Sequence, residues 1–396
     1  MRAGRAEAEP RARRRWTSRR IAAPAAALLL GSVLALGVAE IGLRVIDYPG
    51  AQERRARRFH PRYGTVNADS WIFDFAIDRA RHRAVDLRGQ VIALDKPADE
   101  VRVLFIGDSA TEGAFVSLAQ SYPLRFQQQL AARDPHTRVR AINAGVWGMT
   151  TIDEYHLLRD KLLPLQPDVV VLGLFLANDI NFNLAHGQQR LRHVAPSWLE
   201  AARERSALVH FLFLQALAIN QRHRLVRPDR LGSVWTDARI GLVDEYGFHM
   251  LSYPAGEVAL YMRRPSQLVN EAFSVLEASL AQLRELGARH GFALRVLLIP
   301  TPSSVLGRLA VLHHPNILEE LREQGVPVRE SDLDFGLPAR RVLGICRELE
   351  LSCVDATAQL ARLGRAAFFP ADEHPTAAGH DQLARALVRS GGFDAR

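Results

Sequence analysis

The chain has 396 residues, 48% of them apolar and 24% charged, which suits one large packed domain with smaller additions. Its net charge of +8 suggests a nucleic-acid partner only until the charge is located. Residues 1–20 carry eight arginines against Glu7 and Glu9, so the basicity belongs to the tail; a nucleic-acid-binding folded part is excluded as its cause.

The tail (1–20) is followed by an apolar segment, 21–46, in which Ile21 to Ala39 carry no charge. As a helix this run spans about 28 Å, close to the hydrocarbon thickness of a bilayer. It is longer than a typical signal-peptide core and reads as an uncleaved anchor. The competing reading is cleavage after Gly37-Val38-Ala39, and Ser18-Arg19-Arg20 weakly resembles a twin-arginine export signal. The arginine-rich tail is expected on the cytoplasmic side and the rest outside, although Arg44, Arg54, Arg55, Arg57, Arg58 and Arg62 follow the span. Glu40 and Arg44, one helical turn apart, are expected to pair at the membrane surface. Residues 47–98 form a polar connector, with Trp71-Ile72-Phe73 and Val91-Ile92-Ala93-Leu94 expected to dock it.

An alternating pattern then begins. Val101 to Ile106 is a buried strand ending at Gly107, and Tyr122 to Arg133 a helix with Pro123 in its first turn. Val139 to Asn143 is a second strand, Ile152 to Leu163 a second helix, and Val169 to Leu174 a third strand. Residues 184–262 break the rhythm with amphipathic pieces (Ala207 to Asn220), Trp198 and Trp235, and read as an insertion that caps or shapes a site. The alternation resumes with a helix from Ser266 to His290, a strand from Ala293 to Ile299 and a loop region to Gly336. A helix from Pro338 to Leu349, a strand from Leu351 to Val354 and a helix from Thr376 to Arg389 complete it. Cys346 falls on a helix and Cys353 on the next strand, and they are expected to be two buried thiols with no metal spacing.

This alternation predicts an α/β fold with a parallel sheet and helices on both faces. Such sheets bind ligands at the carboxyl ends of their strands, where the reactive residues should therefore appear. Gly107-Asp108-Ser109-Ala110-Thr111-Glu112-Gly113 follows the first strand, and Asn143-Ala144-Gly145-Val146-Trp147-Gly148 the second. Leu176-Ala177-Asn178-Asp179 follows the third, and Asp372-Glu373-His374-Pro375 precedes the last helix. A nucleophilic hydroxyl, flexible backbone donors, a side-chain amide and an imidazole on one edge are what acyl transfer requires.

The ordered set resembles the SGNH (GDSL-like) hydrolases over residues 99–183 and 293–390. The resemblance implies a three-layer α/β/α domain over 99–390, with a five-stranded parallel flavodoxin-like sheet. It implies Ser109 as nucleophile, His374 as base, and an oxyanion hole from Ser109, Gly148 and Asn178. It also implies a membrane-anchored bacterial type with no metal or organic cofactor. Two departures stand out. Leu176 replaces a glycine two residues before Asn178 and is expected to narrow the acyl pocket. The usual triad acid lies three residues before the histidine, where Ala371 stands, which leaves Asp372 as the candidate. The implied activity is hydrolysis of acyl esters on envelope or extracellular glycans, or next on lipids, at the outer face of the cytoplasmic membrane. An O-acyltransferase of the same fold and a non-catalytic glycan-binding or assembly module are the alternatives. Outside this set, Asp108 and Asp179 are expected to hold loops and Trp147 to line the pocket. His313, His314 and His380 are expected to be solvated or capping residues.

Overall fold

In a computed structural model of the chain the described residues are 12–45, 57–60, 64–67, 76–78, 83–85, 90–184, 242–251, 254–312, 314–370 and 372–393, with scattered positions from 202 to 215. By its internal contacts the chain divides into two units, residues 1–56 with 196–225, and residues 57–195 with 226–396. The middle of the expected insertion thus groups with the N-terminal segment; Trp71 to Phe73, Trp198 and Trp235 lie outside the described residues.

The larger unit is built on five strands, β1 (Glu100–Gly107), β2 (Arg138–Asn143), β3 (Val169–Phe175), β4 (Ala293–Ile299) and β5 (Ser352–Asp355). Their order is 2-1-3-4-5 and every neighbouring pair is parallel, the flavodoxin-like arrangement. Successive side chains point to opposite faces, so β1 feeds two cores at once. Leu104 and Ile106 pack on one face, with α2 (Thr151–Leu157), α3 (Gln267–His290) and α4 (Leu337–Glu348). Val103 and Phe105 pack on the other, against Tyr122 and Phe126 of α1 (Tyr122–Arg133) and Leu383 and Leu387 of α5 (Ala377–Ser390). Ser266 and Thr376 cap the starts of α3 and α5, each through a side-chain oxygen that accepts a backbone N–H three residues on.

Three expectations need correction. The helix predicted over 152–163 stops as a regular α-helix at Leu157, then widens into a π turn and ends in a tight turn at Leu163–Leu165. Pro164 has no N–H to continue the ladder. The loop region before Gly336 contains two short helices, Pro302–Leu306 and Ile317–Glu323. Cys346 and Cys353 are not free thiols but a disulfide. The chain reverses at Glu350 (φ 53°), so that β5 starts beside the end of α4 with the two Cα atoms 6.2 Å apart, within bridging range.

Part of the connector joins the larger unit. Val91–Ala93 is a short strand whose Ile92 is buried with Leu104 and Ile142. Beside it lies the buried guanidinium of Arg102, which donates to Glu100 Oε1 at 2.6 Å and to the carbonyls of Ala93 and Leu165 at 2.7 and 2.9 Å. Arg102→Ala would leave Glu100 and these carbonyls without a donor. It should destabilise the domain by about 3–5 kcal/mol, read as a shift in urea midpoint at unchanged slope.

In the smaller unit, the helix Ala12–Val45 contains the apolar stretch Ala26–Val45, long and apolar enough to cross a membrane. Leu28, Leu30, Leu34, Leu36 and Ile41 are exposed along it.

Candidate active site

The site is assembled at the carboxyl edge of the sheet. Gly107 ends β1, Asp108 caps the short helix Ser109–Glu112, and Ser109 sits at its first position, 7% exposed. From the far end of the domain, the segment before α5 brings in His374. Ser109 Oγ lies 2.8 Å from His374 Nε2, and Nδ1 on the other side of the ring is hydrogen-bonded to Asp372 Oδ1. The short Asp372-to-His374 spacing works through an Asx-type turn. The same Oδ1 also accepts the His374 backbone N–H at 2.8 Å, which folds the carboxylate under the ring. Nδ1–H donated to Asp372 leaves Nε2 as acceptor for the serine proton, the tautomer a base requires.

The residues expected to supply oxyanion donors stand in the loops after β2 and β3. Gly148 has φ +76°, a left-handed conformation that favours glycine, and it follows Trp147, whose N–H donates to Glu112 Oε2 at 2.8 Å. Gly145 approaches the Ser109–Glu112 helix so closely that a Cβ there would stand 2.2 Å from the Glu112 nitrogen. Asn143 joins the two loops, its amide donating to the carbonyls of Thr111 and Glu112 at 3.0 and 3.2 Å while its Oδ1 accepts the Gly145 N–H. Asn178 opens the short helix after β3 and donates one amide hydrogen to Asp108 Oδ2 at 3.2 Å. A primary amide has a second N–H to offer.

Asp108 therefore holds more than its own loop. Its Oδ1 accepts the Ala110 N–H at 2.8 Å and its Oδ2 orients the amide of Asn178. Burial pushes this carboxyl above its ordinary range, while the Ala110 N–H, the charge of His374 and the Asn178 amide pull it down. Asp179 accepts the Phe175 N–H at 2.7 Å, as expected of a loop-holding residue. Burial, aided by the charge of Asp108, holds both Asp179 and Glu154 well above the ordinary carboxyl range.

An aromatic wall surrounds the imidazole. Trp147 stacks on His374 with centroids 5.1 Å apart, and the Phe115 ring meets it edge-on at 5.3 Å. Phe115 is held at φ 65° and is 62% exposed at the rim. Leu176 is instead buried in the core, its N–H donated to the Ile299 carbonyl, so the narrowing of the pocket expected of it is not what its side chain does. His380 Nδ1 accepts the Tyr122 N–H at 3.3 Å and His314 pairs with Glu320, while His313 lies outside the described residues.

Sequence reasoning brought together Ser109, Gly148, Asn178, Asp372 and His374, and the structure gathers all five on this edge. It missed Glu112, Asn143 and Phe115 as structural parts of the site. Glu112 and Asn143 stand within the quoted motifs, but nothing in their spacing says which loop each ties down.

No family model matches the sequence, and no curated protein matches it significantly. Among solved structures, the chain is similar to the acetylxylan esterase Axe2 from Geobacillus stearothermophilus at 15% identity, covering 74% of this chain and 96% of that one with a TM-score of 0.38. It is also similar to LAE5, an alpha/beta hydrolase enzyme from the metagenome of Lake Arreo, Spain (15%, covering 75% and 96%, TM-score 0.38). A third similar structure is a two-domain esterase active on acetylated mannans (12%, covering 74% and 49%, TM-score 0.38). The site's own geometry, and not these likenesses, carries the functional reading.

Glu373, between the two triad candidates, turns inward and is 5% exposed. Burial pushes its carboxyl up to about 8 against the lowering influence of the Leu312 N–H. The folded chain thus keeps a proton that the unfolded chain loses above the ordinary carboxyl range. The stability this contributes is full below about pH 4.5 and is lost as pH rises through about 8. Glu373→Gln should therefore show a smaller fall in Tm than wild type between about pH 5 and about pH 9. Equal falls in both would contradict the assignment.

Proposed function

We propose that the chain is a serine ester hydrolase that removes O-acyl groups from envelope or extracellular glycans through an acyl-Ser109 intermediate. The observation that carries this is the continuous line from Asp372 through both ring nitrogens of His374 to Ser109 Oγ. As Oγ bonds to the acyl carbon, His374 Nε2 takes its proton, and Asp372 orients the imidazolium that forms. The carbonyl electron pair moves onto oxygen, where the N–H groups of Ser109 and Gly148 and the second amide hydrogen of Asn178 receive it. Collapse breaks the bond to the alcohol, which leaves with the proton from His374. Water then attacks the acyl-enzyme by the same route, freeing the acid and restoring Ser109.

The exposed ring of Phe115, set edge-on against Trp147 at the rim, offers an apolar surface suited to a sugar ring carrying a small acyl group. Ser109→Ala should abolish hydrolysis of a short aryl ester with the fold intact by circular dichroism. Asp372→Asn should lower turnover by roughly two to four orders of magnitude and Asn178→Ala by roughly two to three. Full turnover in Ser109→Ala would end the proposal. Normal turnover in Asp372→Asn would reduce the triad to a Ser-His pair.

The location follows from the same reading: residues 21–46 anchor the chain in the cytoplasmic membrane, with the ester-hydrolase domain outside. The disulfide supports this, because such bonds persist in oxidising compartments. A reporter fused after Arg396 should be active only on the outer side. Activity confined to the cytoplasm would refute the topology.

A further inference from the structure

The smaller unit holds a carboxylate in an unusual setting. Glu40 lies within the apolar stretch Ala26–Val45, where a charge is costly unless it is paired. Its partners come from its own helix and from the segment after residue 202. Arg44 Nε donates to Oε1 at 2.7 Å, and an Arg44 terminal nitrogen donates to the Arg205 carbonyl at 2.8 Å. The backbone N–H of Ala207 donates to Oε1 at 3.0 Å, and that of Leu208 to Oε2 at 2.8 Å. The Ser206 hydroxyl also donates to Oε2, at 2.8 Å, while its oxygen accepts the Val209 N–H at 3.1 Å.

This is a helix N-terminus capped jointly from within and from across. A helix start leaves four N–H groups without intrahelical partners and carries partial positive charge. Ser206 takes the third of these donors in the ordinary way, and Glu40 takes the first two while supplying a full negative charge. The described residues from 207 to 215 are helical and begin Ala207, Leu208, Val209, with Phe211 and Leu212 following. Ala207 is fully buried, but Leu212 is 53% exposed, as are large apolar side chains of the anchor such as Leu34, Leu36 and Ile41.

We infer that the helix beginning at Ala207 is a second membrane contact, lying in the outer lipid interface against acyl chains and fixed to the anchor by Glu40. The inference rests on reading Ala26–Val45 as a membrane span. An apolar helix whose start is bonded to the last turns of a span lies at the depth of the interface, and its Leu212 is exposed as the anchor's own apolar side chains are. Glu40 and Arg44 thus do more than pair with each other at the membrane surface: together they hold the insertion to the anchor.

The test uses the full-length protein reconstituted in phosphatidylcholine vesicles, with Leu212→Cys or Leu34→Cys carrying an environment-sensitive NBD label. The two native cysteines are joined in the disulfide and do not compete for the label. Lipids bearing a doxyl quencher near the headgroup should quench the label at 212. Quenchers near the bilayer centre should act on the label at 34. In Glu40→Ala, quenching at 212 should fall at least twofold while the label at 34 is unchanged, which also shows that the variant still inserts. A label at 212 that stays unquenched while the label at 34 is quenched would overturn the inference and leave the anchor standing. An unquenched label at 34 would remove the anchor and the inference with it. Equal quenching at 212 in wild type and Glu40→Ala would overturn the role given to Glu40.

Discussion

All five strands of the sheet run the same way, and the gathering of the candidate site residues on one edge follows from that constraint. Parallel strands must return through helices, so each carboxyl end opens into a loop on one edge. Ser109, Gly148 and Asn178 occupy the first three of these loops, and His374 arrives on the segment before the last helix. Loops from separate strands are not in register by themselves. Asn143 and Glu112 bond the Ser109–Glu112 helix to the β2 loop, and Asp108 bonds the same helix to Asn178. The catalytic candidates thus sit on a network of short side-chain-to-backbone bonds that starts at the sheet itself.

Burial sorts the carboxyl groups around that edge. Asp108, Glu154 and Asp179 are all buried, and desolvation pushes each carboxyl above its ordinary range; the charge of Asp108 adds to this at Glu154 and Asp179, and that of Glu154 adds at Asp179. Asp372 stands apart, with 39% of its side chain exposed and two donors from His374 on one oxygen. Buried acids suit the tasks of capping and loop holding, in which Asp108 and Asp179 are engaged.

The smaller unit obeys a different economy of polar groups. In its apolar helix the one carboxylate is satisfied by an arginine one turn away and by three donors from a remote segment. The insertion is bound into this unit through backbone donors, and capping gives those donors a role that any sequence starting a helix at that point would supply. The specificity of the contact resides in Glu40, Arg44 and Ser206.

Periodicity and turn chemistry in the sequence determined the elements of the sheet unit to within a residue or two at most ends, because buried parallel strands must be continuous apolar runs and capped helices announce their starts. The positions of Ser109, Gly148, Asn178 and His374 after strands were legible for the same reason. What a linear chain does not carry is which distant groups meet. Whether Asp372 reaches His374 depended on an Asx turn, and whether Cys346 bonds Cys353 depended on a reversal at Glu350. The choice of Glu112 as partner for the Trp147 N–H, and of Glu40 as partner for Ala207 and Leu208, was made only by tertiary packing. Hydrogen bonds are short-ranged and directional, so these pairings exist only once the fold has brought donor and acceptor within about 3 Å.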